Sequence, residues 1–113
     1  MGIDVSKPTV VPGACNGQIS YCSQPWSHVS QIGTHNSPFN GPVLTANQDW
    51  TVTQQLDAGI RFLQGQSHWE NGKLEMCHTN CLLFDGGSAI DYLRKIKTWM
   101  DVNPNEVVCA GHQ

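Results

Sequence analysis

Apolar and polar positions alternate along this chain in two periods, one extended and one helical. The run Val29-Ser30-Gln31-Ile32-Gly33 has the pattern of a short strand, diluted by Gly and Ser, and it delivers His35 into a turn forced by Ser37-Pro38. Residues 36–48 hold Pro38, Gly41 and Pro42 and read as a loop. A first helix follows. Thr51 with Gln54 makes a capping box, Val52 and Leu56 recur at helical spacing, and Gly59 is placed to end the helix in a left-handed conformation. Residues 59–66 then alternate as a strand, with Ile60, Phe62 and Gln64 on one face and Arg61 and Leu63 on the other. Asn71-Gly72 is a hairpin signal leading into a strand over residues 74–78. The second helix starts at Ser88 with Asp91 and carries an apolar stripe of Ile90, Leu93, Ile96, Trp99 and Met100. Arg94, Lys95 and Lys97 lie on its wet side, Asn103-Pro104-Asn105 stops it, and residues 106–109 open another strand.

This order of strands and helices predicts an α/β protein with parallel strands. In such folds the chemistry collects at the carboxyl ends of the strands. His35 ends the first strand and His78 ends the hairpin strand, so both are expected at one mouth.

Composition narrows the picture. At 113 residues and 39% apolar, the chain can bury one modest core, read here as a flexible leader over residues 1–14 and a single unit over 15–113. Six Lys and Arg against nine Asp and Glu give a net charge of −3, which excludes a polyanion such as nucleic acid as partner. No stretch is apolar enough to span a bilayer, and the N-terminus lacks the cationic and apolar regions of a signal peptide. Five cysteines are more than a cytosolic chain of this length usually carries. Cys15 with Cys22 and Cys77 with Cys81 read as two small disulfide loops of a secreted protein, leaving Cys109 over. Met1-Gly2-Ile3-Asp4-Val5-Ser6 also fits the short myristoylation pattern, but cysteine pairs suited to an oxidising compartment speak against that reading.

Two imidazoles on one face supply a proton acceptor and a proton donor near neutral pH, because the unperturbed pKa lies near ~6.5. That is equipment for general acid-base cleavage of a phosphodiester. From the residues alone, the cap of its turn is the favoured reading of His35, bonded to Asn36 or Ser37. A zinc site built from His68, Cys77, His78 and Cys81 is disfavoured, since adjacent residues on an extended strand point to opposite faces. Trp99 belongs to the helix stripe, whereas Trp69, beside a turn at a strand end, is the tryptophan placed to touch a ligand. Arg61 is expected to pair with an acid such as Asp57.

Four segments, in this order, resemble the phosphatidylinositol-specific phospholipase C X-domain-like family, in particular its secreted fungal phosphodiesterases. They are Ile32-Gly33-Thr34-His35-Asn36-Ser37-Pro38-Phe39, Gln54-Gln55-Leu56-Asp57-Ala58-Gly59-Ile60-Arg61, Cys77-His78-Thr79-Asn80-Cys81 and the stretch from Thr98 to Val108. The resemblance implies the N-terminal part of a (β/α)8 barrel, incomplete here and ending just after the start of the third barrel strand. It also implies a phosphoric diester hydrolase in which His35 is the general base and His78 the general acid. Asn36, Arg61, Gln64, Gln66 and Trp69 become substrate-contact candidates, and a phospholipid headgroup or related phosphodiester becomes the partner. Gln64 and Gln66 stand where the family has acidic residues, or an acid and an arginine, so no cofactor is expected and Ca²⁺ least of all. An unfinished barrel exposes strand edges, which favours self-association and weak or absent activity of the chain alone. The alternative is a non-catalytic secreted binding or effector protein that keeps the first half of the fold.

Overall fold

The computed structural model describes residues 10–41, 48, 50–77 and 85–112, without the side chains of residues 85, 86 and 112. His78, Cys81 and most of the leader lie outside the described residues. After two 3-10 turns at Ile19–Ser23 and Trp26–His28, the elements are β1 (Gly33–Thr34), α1 (Val52–Asp57), β2 (Phe62–Gly65), β3 (Ser67–Glu70), β4 (Lys73–Cys77), β5 (Asp85–Ser88), α2 (Ala89–Val102) and β6 (Cys109–His112). β1, β2 and β6 form a parallel sheet in that order, and β3, β4 and β5 form an antiparallel one. The fold is α/β.

Local signals set the helix starts. Thr51 Oγ1 accepts from the Gln54 N–H at 3.2 Å while Gln54 Oε1 accepts from the Thr51 N–H at 2.9 Å, so the capping box closes in both directions. Ser88 Oγ accepts from the Asp91 N–H at 3.1 Å and caps α2. Asn71 and Gly72 both take positive φ, 53° and 78°, which turns β3 into β4 with Glu70 opposite Lys73. Gly59 has φ 104°, as its place after α1 requires.

Both helices pack on one side of the parallel sheet. The core gathers Val52 and Leu56 from α1, Leu63 from β2, Tyr92, Ile96 and Trp99 from α2, and Phe39, Ile60 and Met76 around them. Burying side chains of this size contributes roughly 1.5–3 kcal/mol each. The stripe of α2 is therefore turned relative to the sequence reading. Tyr92 replaces Ile90 and Leu93, which are 60% and 54% exposed. The alternation in β2 is also corrected, because Ile60 lies in the core while Phe62 faces the other, open side of the sheet. There the Phe62 ring covers its neighbours. A Cβ at Gly33 would fall 2.9 Å from Phe62 Cδ1 and 3.1 Å from the Phe62 carbonyl, so β1 needs glycine there, whereas one at Gly111 would meet only the ring tip, 2.9 Å from Cζ.

The strand boundaries move as well. β1 is only two residues long, Gly33–Thr34, and residues 29–32 stay outside it. The last strand begins at Cys109 instead of residue 106, because Glu106 is drawn into the interior. Glu106 Oε2 meets Arg61 Nε at 3.4 Å, both side chains being at least 98% buried. The same Arg61 donates through Nη1 to the carbonyls of Leu56, at 2.7 Å, and Ile60, at 2.9 Å, and its guanidinium lies 4.8 Å from the Trp99 ring centre. It thus satisfies a carbonyl at the end of α1 and stacks on α2. Asp57, the expected partner of Arg61, accepts instead from Trp99 Nε1 at 2.8 Å.

Cys15 and Cys22 form a disulfide. Cys77 is also disulfide-bonded, with a partner outside the described residues, and Cys109 is free. Among the described residues no helix is long and apolar enough to cross a membrane.

Candidate functional site

The carboxyl end of β1 runs directly into a turn over residues 35–38. Asn36 there takes φ 51°, a left-handed conformation that asparagine tolerates better than most residues. Asn36 and Ser37 are fully buried at the base of the turn, while His35 is exposed. The turn thus has a sealed floor and an accessible imidazole.

Three polar side chains hold that floor. Gln64, near the end of β2, accepts from the Asn36 N–H through Oε1 at 2.7 Å, and its carbonyl accepts from the Ser37 N–H at 2.6 Å. The Gln64 N–H returns a bond to Ser37 Oγ at 3.0 Å. Ser37 Oγ lies 2.7 Å from Thr34 Oγ1, which in turn donates to Gln55 Oε1 at 2.7 Å. Gln55, 2% exposed on α1, donates through Nε2 to the carbonyls of Ser37 and Trp50, both at 2.9 Å. From outside, Gln48 Nε2 donates to the His35 carbonyl at 2.7 Å.

Among the described residues, the imidazole has one partner at its edge. Asn36 Nδ2 and His35 Nε2 are 3.1 Å apart. An amide nitrogen only donates, so Nε2 accepts and the neutral ring carries its proton on Nδ1. Beneath the turn, burial pushes the Tyr92 phenol up to about 12, the nearby Ser37 hydroxyl offsetting part of the rise.

The structure brings together His35, Asn36 and Gln64. Gln66 lies just beyond β2, its carbonyl accepting from the Cys77 N–H at 3.2 Å, so β4 ends beside the same end of the parallel sheet. His78 is the next residue in the chain and lies outside the described residues. Trp69 stands on β3, 70% exposed, opposite Leu74 in the hairpin. Arg61 does not join them. It lies on the helix side of the sheet at 2% exposure, three residues from Gln64 and therefore on the opposite face, and its role as a substrate contact is corrected to that of a structural ion. The residues that the sequence reading passed over are Thr34, Ser37 and Gln55. The signal for Gln55 is a polar side chain between Val52 and Leu56 on the buried side of a short helix.

The family model PI-PLC X 1 matches residues 21–110 of this chain. A PI-PLC X domain-containing protein 1 of Arthroderma benhamiae is 55% identical over 102 residues, covering 89% of this chain and 33% of that protein. An uncharacterized secreted protein of the same fungus is 40% identical over 95 residues, 83% of this chain and 22% of its own length. A PI-PLC X domain-containing protein 1 of Mus musculus is 30% identical over 111 residues, 87% of this chain and 32% of its own. The chain thus spans a third or less of the length of these relatives. No solved structure matches it.

Proposed function

The chain belongs to the PI-PLC X family, and on that premise we propose that it is the opening part of a (β/α)8 barrel that cleaves a phosphodiester with two histidines. Three parallel strands in consecutive order, with helices on one side and no reversal of direction between them, support a barrel over a doubly wound sheet. The observation that carries the chemistry is the exposed His35 imidazole on a buried turn held by hydrogen bonds to Gln64 and Gln55 at a strand's carboxyl end.

In this reading His35 takes the proton of the attacking hydroxyl. Its Nε2 already accepts a hydrogen bond, and substrate would displace Asn36 Nδ2 from that lone pair. His78, following Cys77 at the end of β4, protonates the leaving alcohol. Each transfer contributes about two to four orders of magnitude. Gln64, Gln66 and Trp69 contact the substrate, a phospholipid headgroup or a related phosphodiester, while Asn36, fully buried, acts through the His35 ring instead of the substrate contact expected of it. The donor set does not fit Ca²⁺, because Gln64 offers a single amide oxygen that is already engaged by the Asn36 N–H. Neutral amide dipoles then face the phosphoryl oxygens where a metal or guanidinium would do more, and turnover by this chain is slow. The Cys15–Cys22 disulfide, the bonded Cys77 and a relative described as secreted support an extracellular location.

A second reading is favoured by that same engagement of Gln64: a secreted binding protein that retains the scaffold without turnover. Hydrolysis of a soluble inositol phosphodiester, followed for the chain and for His35→Ala and His78→Ala with and without EDTA, separates the two. Cleavage lost in both variants and indifferent to EDTA supports the enzyme. Cleavage indifferent to both substitutions refutes the assignment, and headgroup binding without cleavage establishes the second reading.

A further inference from the structure

We infer that Gln55 is the positioning residue of the His35 turn, setting the imidazole from the buried side without touching substrate. The inference rests on the reading of His35 as the base, but its geometry is independent of it. Gln55 is 2% exposed, and both ends of its amide are committed toward the turn. Oε1 accepts from Thr34 Oγ1, the residue before His35, and Nε2 donates to the carbonyl of Ser37, two residues after it. One rigid planar group therefore pins both flanks of the histidine. A second bond from Nε2 to the Trp50 carbonyl fixes the amide to the chain entering α1. From Thr34 the contact passes to Ser37 Oγ, from Ser37 to the Gln64 backbone, and from Gln64 Oε1 to the Asn36 N–H. Asn36 is the side chain on His35 Nε2.

An apolar side chain of similar volume at position 55 would fill the core equally well. What it would lose is the pair of bonds that determine where residues 34 and 37 stand, and with them the left-handed Asn36 between. A displacement of about 1 Å at a reacting group costs on the order of 100-fold in rate. Gln55 thus links the packing of α1 to the direction of the imidazole, and its amide is retained for orientation.

The test reads the ring directly. In ¹⁵N-edited spectra of the intact chain, His35 is expected mainly as the Nδ1–H tautomer. Gln55→Met, which keeps volume without the bonds, is expected to move His35 toward the mixture of a free imidazole while near-ultraviolet circular dichroism stays unchanged. Thr34→Val is expected to do the same and Thr34→Ser, which keeps the hydroxyl, to restore the parent spectrum. If Gln55→Met fails to fold, the Thr34 pair decides alone. On a cleavable diester, kcat is expected to fall about 100-fold in Gln55→Met with KM within about twofold. A His35 spectrum indifferent to Gln55→Met and to Thr34→Val overturns the inference, whatever the activity. A parent chain without hydrolysis leaves the tautomer result alone to decide the positioning role.

Discussion

Asn16 and Glu106, 90 positions apart in the chain, meet through a 2.6 Å bond from the Asn16 N–H to Glu106 Oε2. The Asn16 side chain also holds Val107 at both of its backbone groups, receiving from the N–H at 2.8 Å and donating to the carbonyl at 2.9 Å. Because Asn16 lies inside the Cys15–Cys22 loop and takes φ 47°, the small disulfide ring presents it in a fixed, left-handed pose. Asn16→Gly keeps that backbone and removes the two side-chain bonds, and it is expected to cost about 1 kcal/mol in urea unfolding. Asn16→Ala adds backbone strain and is expected to cost more. Equal stability of all three proteins would show that the loop is not an anchor.

The ion pair of Arg61 with Glu106 lies almost wholly out of water. Removing one partner leaves the other as an uncompensated buried charge, so Arg61→Met is expected to destabilise by about 3–5 kcal/mol. Adding Glu106→Gln to it is expected to recover part of that loss. Chemical denaturation of the single and double variants measures the coupling, and a strictly additive result would contradict the pairing.

Tyr92 gives the fold a sensitivity to alkali. Its phenol titrates near about 12 in the folded chain against 10.0 unfolded, so the unfolded state releases its proton first. The associated stability is fully present below pH 10 and is lost as the pH rises toward 12, amounting to about 2 kcal/mol by pH 12. Urea unfolding at pH 9 and pH 11.5, compared with Tyr92→Phe, isolates it. The parent protein is expected to lose stability more steeply than the variant across that interval.

The open side of the parallel sheet, with Phe62 39% exposed over two glycines, is the surface through which copies of this chain are expected to associate. Sedimentation velocity should show a concentration-dependent shift that Phe62→Ser diminishes. A monomer at all concentrations would leave this face without that role.

Legibility from sequence followed the range of the interaction. Thr51 with Gln54, Asn71 with Gly72, and Ser88 with Asp91 act within a few residues, and each formed where it was read. The face of α2 did not, since Ile90 and Leu93 fit a helical stripe as well as Tyr92 does and only the position of the sheet chooses between them. β5 has no signal of its own, since Gly86 and Gly87 carry little strand propensity and its pairing comes from β4. Arg61 pairs with an acid as read, but with Glu106, 45 positions away, instead of the local Asp57. At the site, His35, Asn36 and Gln64 were recognisable as residue types, while the bonds that join them through Gln55 depend on α1 docking beneath β1.

Gln64 holds the Asn36 N–H through an oxygen that a carboxylate would offer equally well. The electrical character of this corner is therefore separable from its shape: Gln64→Glu would add a negative charge beside the imidazole and leave the loop geometry standing. A scaffold arranged in this way can be retuned at one atom, exchanging nitrogen for oxygen, with no rebuilding around it.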